Sequence, residues 1–212
     1  IPFSVLGYLA ATIAYWGSPF LACLFAGSAF AMLFFEVLRY REFVDGLFPQ
    51  RHGENVVAVI PPTQDVQRRV VVSAHQDSAY EFNLWFFLKS AAIPVMIIAF
   101  AAPLFLAIGA LVMSLTNGMT GAWYTAIGYT AMGLYPIVGL NLFFHTFSVV
   151  PGAMDDLAGI SVLVGVAQAL TEQEDAEPAL QHTEVVLLAA SSEEAGLRGA
   201  KRYVEAHKAD LT

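Results

Sequence analysis

SAAIPVMIIAFAAPLFLAIGALVMSL, Ser90–Leu115, contains no charged side chain. A helix needs about 20 consecutive apolar residues to cross a bilayer, and this run exceeds that length. Pro94 and Pro103 would break or kink a helix in water, but membrane helices tolerate proline better. Thr116-Asn117-Gly118-Met119-Thr120-Gly121 follows as a turn. Trp123–Phe147 is then uncharged again, apart from a possible charge on His145. Residues 85–147 therefore read as a transmembrane helical hairpin. Trp85 and Trp123 stand near its helix ends, where aromatic belts form.

Outward from this hairpin, a second apolar block runs from Ile1 to about Leu38 and breaks at Trp16-Gly17-Ser18-Pro19. Its second half, Phe20–Leu38, carries only Glu36. Residues 1–38 read as another hairpin. Composition agrees: the 212 residues are 57% hydrophobic and 13% charged, whereas an average soluble domain is about 25% charged. The net charge of −8 gives no basic patch for nucleic acid. Cys23 is the single cysteine, so no internal disulfide forms. Ile1 is not a start residue and no basic region precedes the first apolar stretch, so the chain is expected to begin inside a longer product. Both hairpins return to the side they left. Arg39, Arg41 and Lys89 lie on that side, so the positive-inside tendency places the polar segments in the cytoplasm.

Those polar segments, 39–84 and 148–212, have α/β character. Asn55–Ile60 and Arg69–Ser73 are β-branched runs, with Thr63-Gln64-Asp65 read as a hairpin turn between them. Asp156–Leu170 has helical spacing, Gln173–Pro178 is an acidic loop, Thr183–Ala190 is a strongly apolar strand, and Arg198–His207 is a helix. The expected architecture is a partial α/β domain, a mixed sheet with flanking helices, combined with transmembrane α-helical hairpins.

Three constellations carry chemistry, each at a strand end or in a loop beside one. In Ser73-Ala74-His75-Gln76-Asp77-Ser78, imidazole is a zinc ligand, and a nearby carboxylate can take the other ring proton and fix the tautomer. In Pro151-Gly152-Ala153-Met154-Asp155-Asp156-Leu157-Ala158-Gly159, adjacent aspartates precede a helix. Asp156 suits an N-cap, which leaves Asp155 free to bridge two metal ions. In Ser191-Ser192-Glu193-Glu194-Ala195-Gly196-Leu197-Arg198-Gly199, two carboxylates end an apolar strand. One can bind metal while the other takes a proton from water. In isolation, capping is the better reading of the second, and an acidic first helical turn explains the third equally well.

Taken together, His-x-Asp-Ser, Pro-Gly-Ala-x-Asp-Asp-x-x-Gly and Glu-Glu-x-Gly-Leu-x-Gly resemble the M28 family of zinc peptidases, which are co-catalytic aminopeptidases with glutaminyl cyclase relatives. The resemblance covers about residues 55–84 and 148–207. It implies two zinc ions. His75 would bind one, Asp155 would bridge both and Glu194 would bind the second. Glu193 would be the general base and Asp77 would orient His75. His75 and Asp155 are 80 residues apart, further than in soluble members, so the resemblance is to a membrane-embedded member with a hairpin inserted between two site loops. Two further ligands of the family, an aspartate and a histidine, match nothing here and are expected beyond Thr212. This chain alone is therefore expected to be inactive. His52, His145, His182 and His207 match no family motif. The implied partners are a peptide substrate and the lipid bilayer. The alternatives are a non-catalytic membrane scaffold with a peptidase-like fold, cyclase-like acyl transfer and, last, a transporter, since the spans hold almost no ionisable residue.

Overall fold

The computed structural model describes residues 1–172 and 180–210; the acidic loop Gln173–Pro178 read above lies outside the described residues. The chain forms two compact units, Ile1–Phe48 with Glu81–Ser148, and Pro49–Tyr80 with Val149–Thr212.

The first unit is helical. α1 (Pro2–Tyr15) turns through Gly17 into α2 (Pro19–Met32), which opens with proline at its first position and the Ser18 hydroxyl accepting from Leu21 N–H. α2 continues as a wider turn over Leu33–Leu38. Glu36, the one charge of this run, accepts the Val44 N–H at 2.6 Å. Small residues let α1 and α2 approach: Ala22, Ala26 and Ala29 are buried, and a methyl on Gly7 would stand 3.2 Å from the Ala29 Cβ. α3 (Asn83–Leu88) leads through a short turn into α4 (Ala92–Leu115), and α5 (Ala122–Gly139) follows.

Apolar surroundings offer no water to polar groups, so buried ones must pair internally. Tyr8 Oη donates to the Ala131 carbonyl at 2.9 Å. Tyr15 and Tyr124 stack at 4.8 Å, and each hydroxyl donates to the other's carbonyl, at 3.1 and 3.0 Å. These bonds tie α1 to α5, and so one hairpin to the other.

Among the described residues, four helical stretches are long and apolar enough to cross a membrane: Pro19–Leu38, Asn83–Leu115, Ala122–Phe143 and Ala153–Thr171. The 14-residue α1 is shorter than that.

The second unit is a three-stranded mixed sheet with helices. β1 (Val56–Ile60), β2 (Arg68–His75) and β3 (Thr183–Ala190) lie in the order β1-β3-β2. β3 pairs antiparallel with β1 and parallel with β2. This corrects the hairpin expected at Thr63-Gln64-Asp65. β1 and β2 never pair, because β3 lies between them, and Thr63 and Gln64 N–H groups bond instead to the Leu180 and Gln181 carbonyls. The reason is burial. β3 reads Val-Val-Leu-Leu-Ala-Ala, apolar on both faces, and a strand of that pattern takes the covered central position.

Both faces are covered. Val185 and Leu187 pack with Ala74 against Leu163 of α6 (Ala158–Thr171), the last of the four apolar stretches above. Val186, Leu188 and Ala190 pack on Tyr203 of α7 (Arg198–Ala206). The period-two alternation of side chains sends successive residues of β3 to opposite helices. Because β2 and β3 run parallel, with His75 opposite Ala190, both strands end at one edge of the sheet.

Candidate metal centre

That shared edge is where the three constellations meet. β2 ends at His75, β3 ends one residue before Ser191, and the segment before α6 carries Asp155 and Asp156. One ligand atom each from His75, Asp155 and Glu194 lie within 4.8 Å of one another, the one such group of metal-ligating side chains among the described residues.

The imidazole is set by its partners. His75 Nδ1 lies 3.0 Å from the Asp77 main-chain carbonyl, which only accepts, so Nδ1 carries the proton. Nε2 is then the lone-pair nitrogen of the neutral ring, 3.0 Å from Asp155 Oδ1 and 3.7 Å from Glu193 Oε2. The His75 side chain is 12% exposed and that of Asp155 75%. An anchored imidazole thus faces a carboxylate open to solvent.

Asp77 holds the His75 ring through its main chain. Its carboxylate stands 3.6 Å from Nδ1, beyond hydrogen-bond distance, while its carbonyl holds the ring. The carboxylate instead accepts the main-chain N–H groups of Glu193 and Glu194, at 3.0 and 3.1 Å. It pins the Glu-Glu segment rather than the ring. Asp156 accepts the Gly159 N–H at 2.9 Å, the capping expected of it, and its second oxygen accepts the His75 N–H at 3.2 Å. The Asp155–Asp156 peptide bond is cis.

Two glycines of the motifs have steric reasons. Gly152 has φ +68°, and a side chain there would run into the Ser78 hydroxyl. Gly199 packs against the end of β3. A methyl on it would lie 2.6 Å from Asn55 Oδ1, 2.8 Å from Ser191 N and closer still to the Ser191 carbonyl oxygen. Asn55 was not singled out in the sequence. It donates to the Gly199 carbonyl at 2.8 Å and accepts the Ser191 N–H at 3.0 Å, bracketing the loop that carries both glutamates. No motif marks it; its one signal is its place just before β1.

Charge is concentrated here. Burial alone would lower the His75 pKa. The Asp77 carbonyl, the Asp155 carboxylate and the charges of Glu193 and Asp77 outweigh it, leaving the group above its ordinary 6.5. Burial raises the Glu194 carboxyl, Asp155 and Glu193 raise it further, and His75 offsets this in part. Both shifts favour added positive charge. The donor set, one neutral imidazole nitrogen with two carboxylates, is the kind that holds zinc. Of the other histidines, His182 bonds through Nδ1 to the Asp65 carbonyl and His207 to the Tyr203 carbonyl.

Residues 141–212 match the family model described as Peptidase family M28. The matched segment contains Asp155, Glu193 and Glu194; His75 and Asp77 lie outside it and reach the cluster through the pairing of β2 with β3. No curated protein and no solved structure matches the chain.

Proposed function

We propose that this chain, whose residues 141–212 match the M28 peptidase family model, belongs to a membrane-bound zinc metallopeptidase of aminopeptidase type. The observation that carries the reading is the convergence of His75, Asp155 and Glu194 from three separate segments to within 4.8 Å.

His75, Asp155 and Glu194 would hold zinc. Zinc bound there would lower the pKa of water and polarise a carbonyl. The chain's own residues do the rest. The Asp77 carbonyl keeps Nδ1 protonated, so Nε2 is presented as a ligand. Asp77 and Asn55 fix the main chain on which Glu193 and Glu194 sit. Glu193 Oε2, on the Nε2 side of the ring, accepts a proton from the attacking water and returns it to the departing amine. A carboxylate near the ions would receive the α-amine of a substrate and so favour removal of N-terminal residues.

The membrane part of the reading is supported by the apolar stretches of the first unit, Pro19–Leu38, Asn83–Leu115 and Ala122–Phe143. Arg39 and Arg41, just after Pro19–Leu38, and Lys89, just before α4, favour a cytoplasmic peptidase unit. Protease protection in sealed vesicles tests that orientation, and cleavage at Arg51 from the outer face of cells would reverse it.

The functional test is hydrolysis of amino-acid anilides and short peptides by the full-length protein in detergent. Glu193→Gln and a zinc chelator are the controls. Expected is chelator-sensitive release of N-terminal residues, with Glu193→Gln reducing turnover by about 10²–10⁴-fold while keeping its zinc. No turnover by folded, zinc-loaded protein would overturn the peptidase reading in favour of a scaffold. Cyclised product from an N-terminal glutaminyl peptide would point to acyl transfer instead.

A further inference from the structure

The peptidase reading makes no use of α3 or of the bend after it. Helix runs over Asn83–Leu115, 33 residues, about 50 Å if straight. The hydrocarbon core of a bilayer is about 30 Å thick. α4 alone, with 24 residues, reaches about 36 Å, so it crosses without α3. The two do not form one rod. Lys89 has φ 49° and ψ −128°, backbone that ends α3 and redirects the chain before α4 begins.

Within the first unit α3 is held by one side. Leu84 is buried and its N–H donates to the Phe144 carbonyl at 3.3 Å. The Phe82 ring meets the Phe144 ring edge-on at 5.3 Å. The other side is bare: Trp85, Phe86 and Phe87 are 52%, 73% and 74% exposed. Phe143, in the turn against which α3 packs, is also exposed, and so is Lys89 at the end of α3. Adjacent uncovered aromatic rings mark an interaction site.

The occupant follows from continuity and chemistry. These rings stand at the mouth of a membrane-length helix, joined to it by a lysine. Aromatic rings and lysine stems are the side chains that suit a boundary apolar below and polar above. We propose that α3 lies in the membrane interface as an in-plane anchor. Trp85, Phe86 and Phe87 seat in the headgroup–acyl boundary of the leaflet that α4 enters, and Lys89 reaches lipid phosphate. This rests on the membrane part of the reading above and is independent of the peptidase part.

The experiment uses full-length protein in nanodiscs of zwitterionic and anionic phospholipid. Cys23 is replaced by alanine and spin labels are placed singly at Phe86→Cys, Ile108→Cys and Glu54→Cys. Collision with oxygen and with a water-soluble nickel chelate reports depth. The Ile108 label in α4 should lie deep and the Glu54 label in water, with the Phe86 label about 5–10 Å below the phosphates. A Phe86 label as nickel-accessible as that at Glu54, beside a deep Ile108 label, would overturn the anchor and leave the membrane reading intact. A Phe86 label shielded from both reagents would mean that protein covers α3, which also overturns it. A shallow Ile108 label would remove the membrane reading and the anchor together. Should Phe86→Cys misfold, quenching of tryptophan emission by brominated lipid is compared between the native protein and Trp85→Phe. Loss of a shallow-quenched component supports the anchor, and no change overturns it.

Discussion

Replacing Asp77 by alanine removes a carboxylate that accepts two main-chain N–H groups, those of Glu193 and Glu194. Hydrogen bonds to a charged acceptor contribute about 1.5–3 kcal/mol each. Asp77 is 27% exposed, so water replaces part of the loss, and about 2–3 kcal/mol for the pair is a fair expectation. What is lost is the placement of Glu194, so zinc affinity of the full-length protein should fall by about 10–100-fold in Asp77→Ala. Asp77→Asn keeps one accepting oxygen and should lose about half as much in free energy, roughly 3–10-fold in affinity. Competition with a fluorescent chelator reads both. A second readout separates this clamp from direct support of the imidazole. His75 is held by the Asp77 main-chain carbonyl, which alanine retains, so ¹⁵N NMR should still find the proton on Nδ1. Unchanged zinc affinity together with a switched His75 tautomer would refute the clamp and restore the carboxylate to the ring.

Other outcomes follow from the same geometry. Gly199→Ala forces a methyl against the Ser191 main chain and Asn55, and should destabilise the second unit by about 1–3 kcal/mol, read as a lowered midpoint in chemical unfolding. Tyr15→Phe removes one of two reciprocal hydrogen bonds between α1 and α5. It should cost about 0.6–1.7 kcal/mol, seen as earlier unfolding in a denaturing-detergent titration. In metal-free protein the raised pKa values of His75 and Glu194 both mean that folding favours their protonated forms. That stabilisation is complete below each unfolded value and is lost as pH rises through each folded one, so apo protein should be more stable at mildly acidic pH than at pH about 8. Zinc needs the neutral ring, so its affinity should change the opposite way, rising with pH through the His75 transition. Unfolding midpoints across pH, with chelator and with zinc, check both signs.

Local pattern made much of this architecture readable. The uncharged run at Ser90–Leu115 is long enough to identify itself, and Thr183–Ala190 forms a strand over the same residues in sequence and structure. The pairing of those strands was not readable. Two β-branched runs close in sequence look like a hairpin, and nothing near Thr63 reveals that a distant strand separates them. At the site, His75, Asp155, Glu193 and Glu194 are legible because each sits in a short motif at a strand end or before a helix, and the three motifs together are far more specific than any one. Which atoms of Asp77 do what was hidden, since the choice between its carbonyl and its carboxylate is a matter of main-chain path. Asn55 was hidden for the same reason: it acts on main-chain atoms of Ser191 and Gly199, and such contacts leave no motif.

The central place of β3 has a consequence for the order of synthesis. β2 meets its partner only across long range: Arg69, for example, pairs with Glu184, 115 residues later. At roughly 5–20 residues per second, the ribosome needs about 6–23 s to supply that partner, and during this interval it also makes α4 and α5. Until then β1 and β2 are two open edges, and His75 waits without its glutamates. Assembly of the metal centre is thus timed by the arrival of one strand, after the second apolar hairpin has been made. A ribosome-stalled chain ending before Thr183 should leave His75 with no zinc, and one that exposes β3 and the Glu-Glu segment should be the first able to gather these ligands.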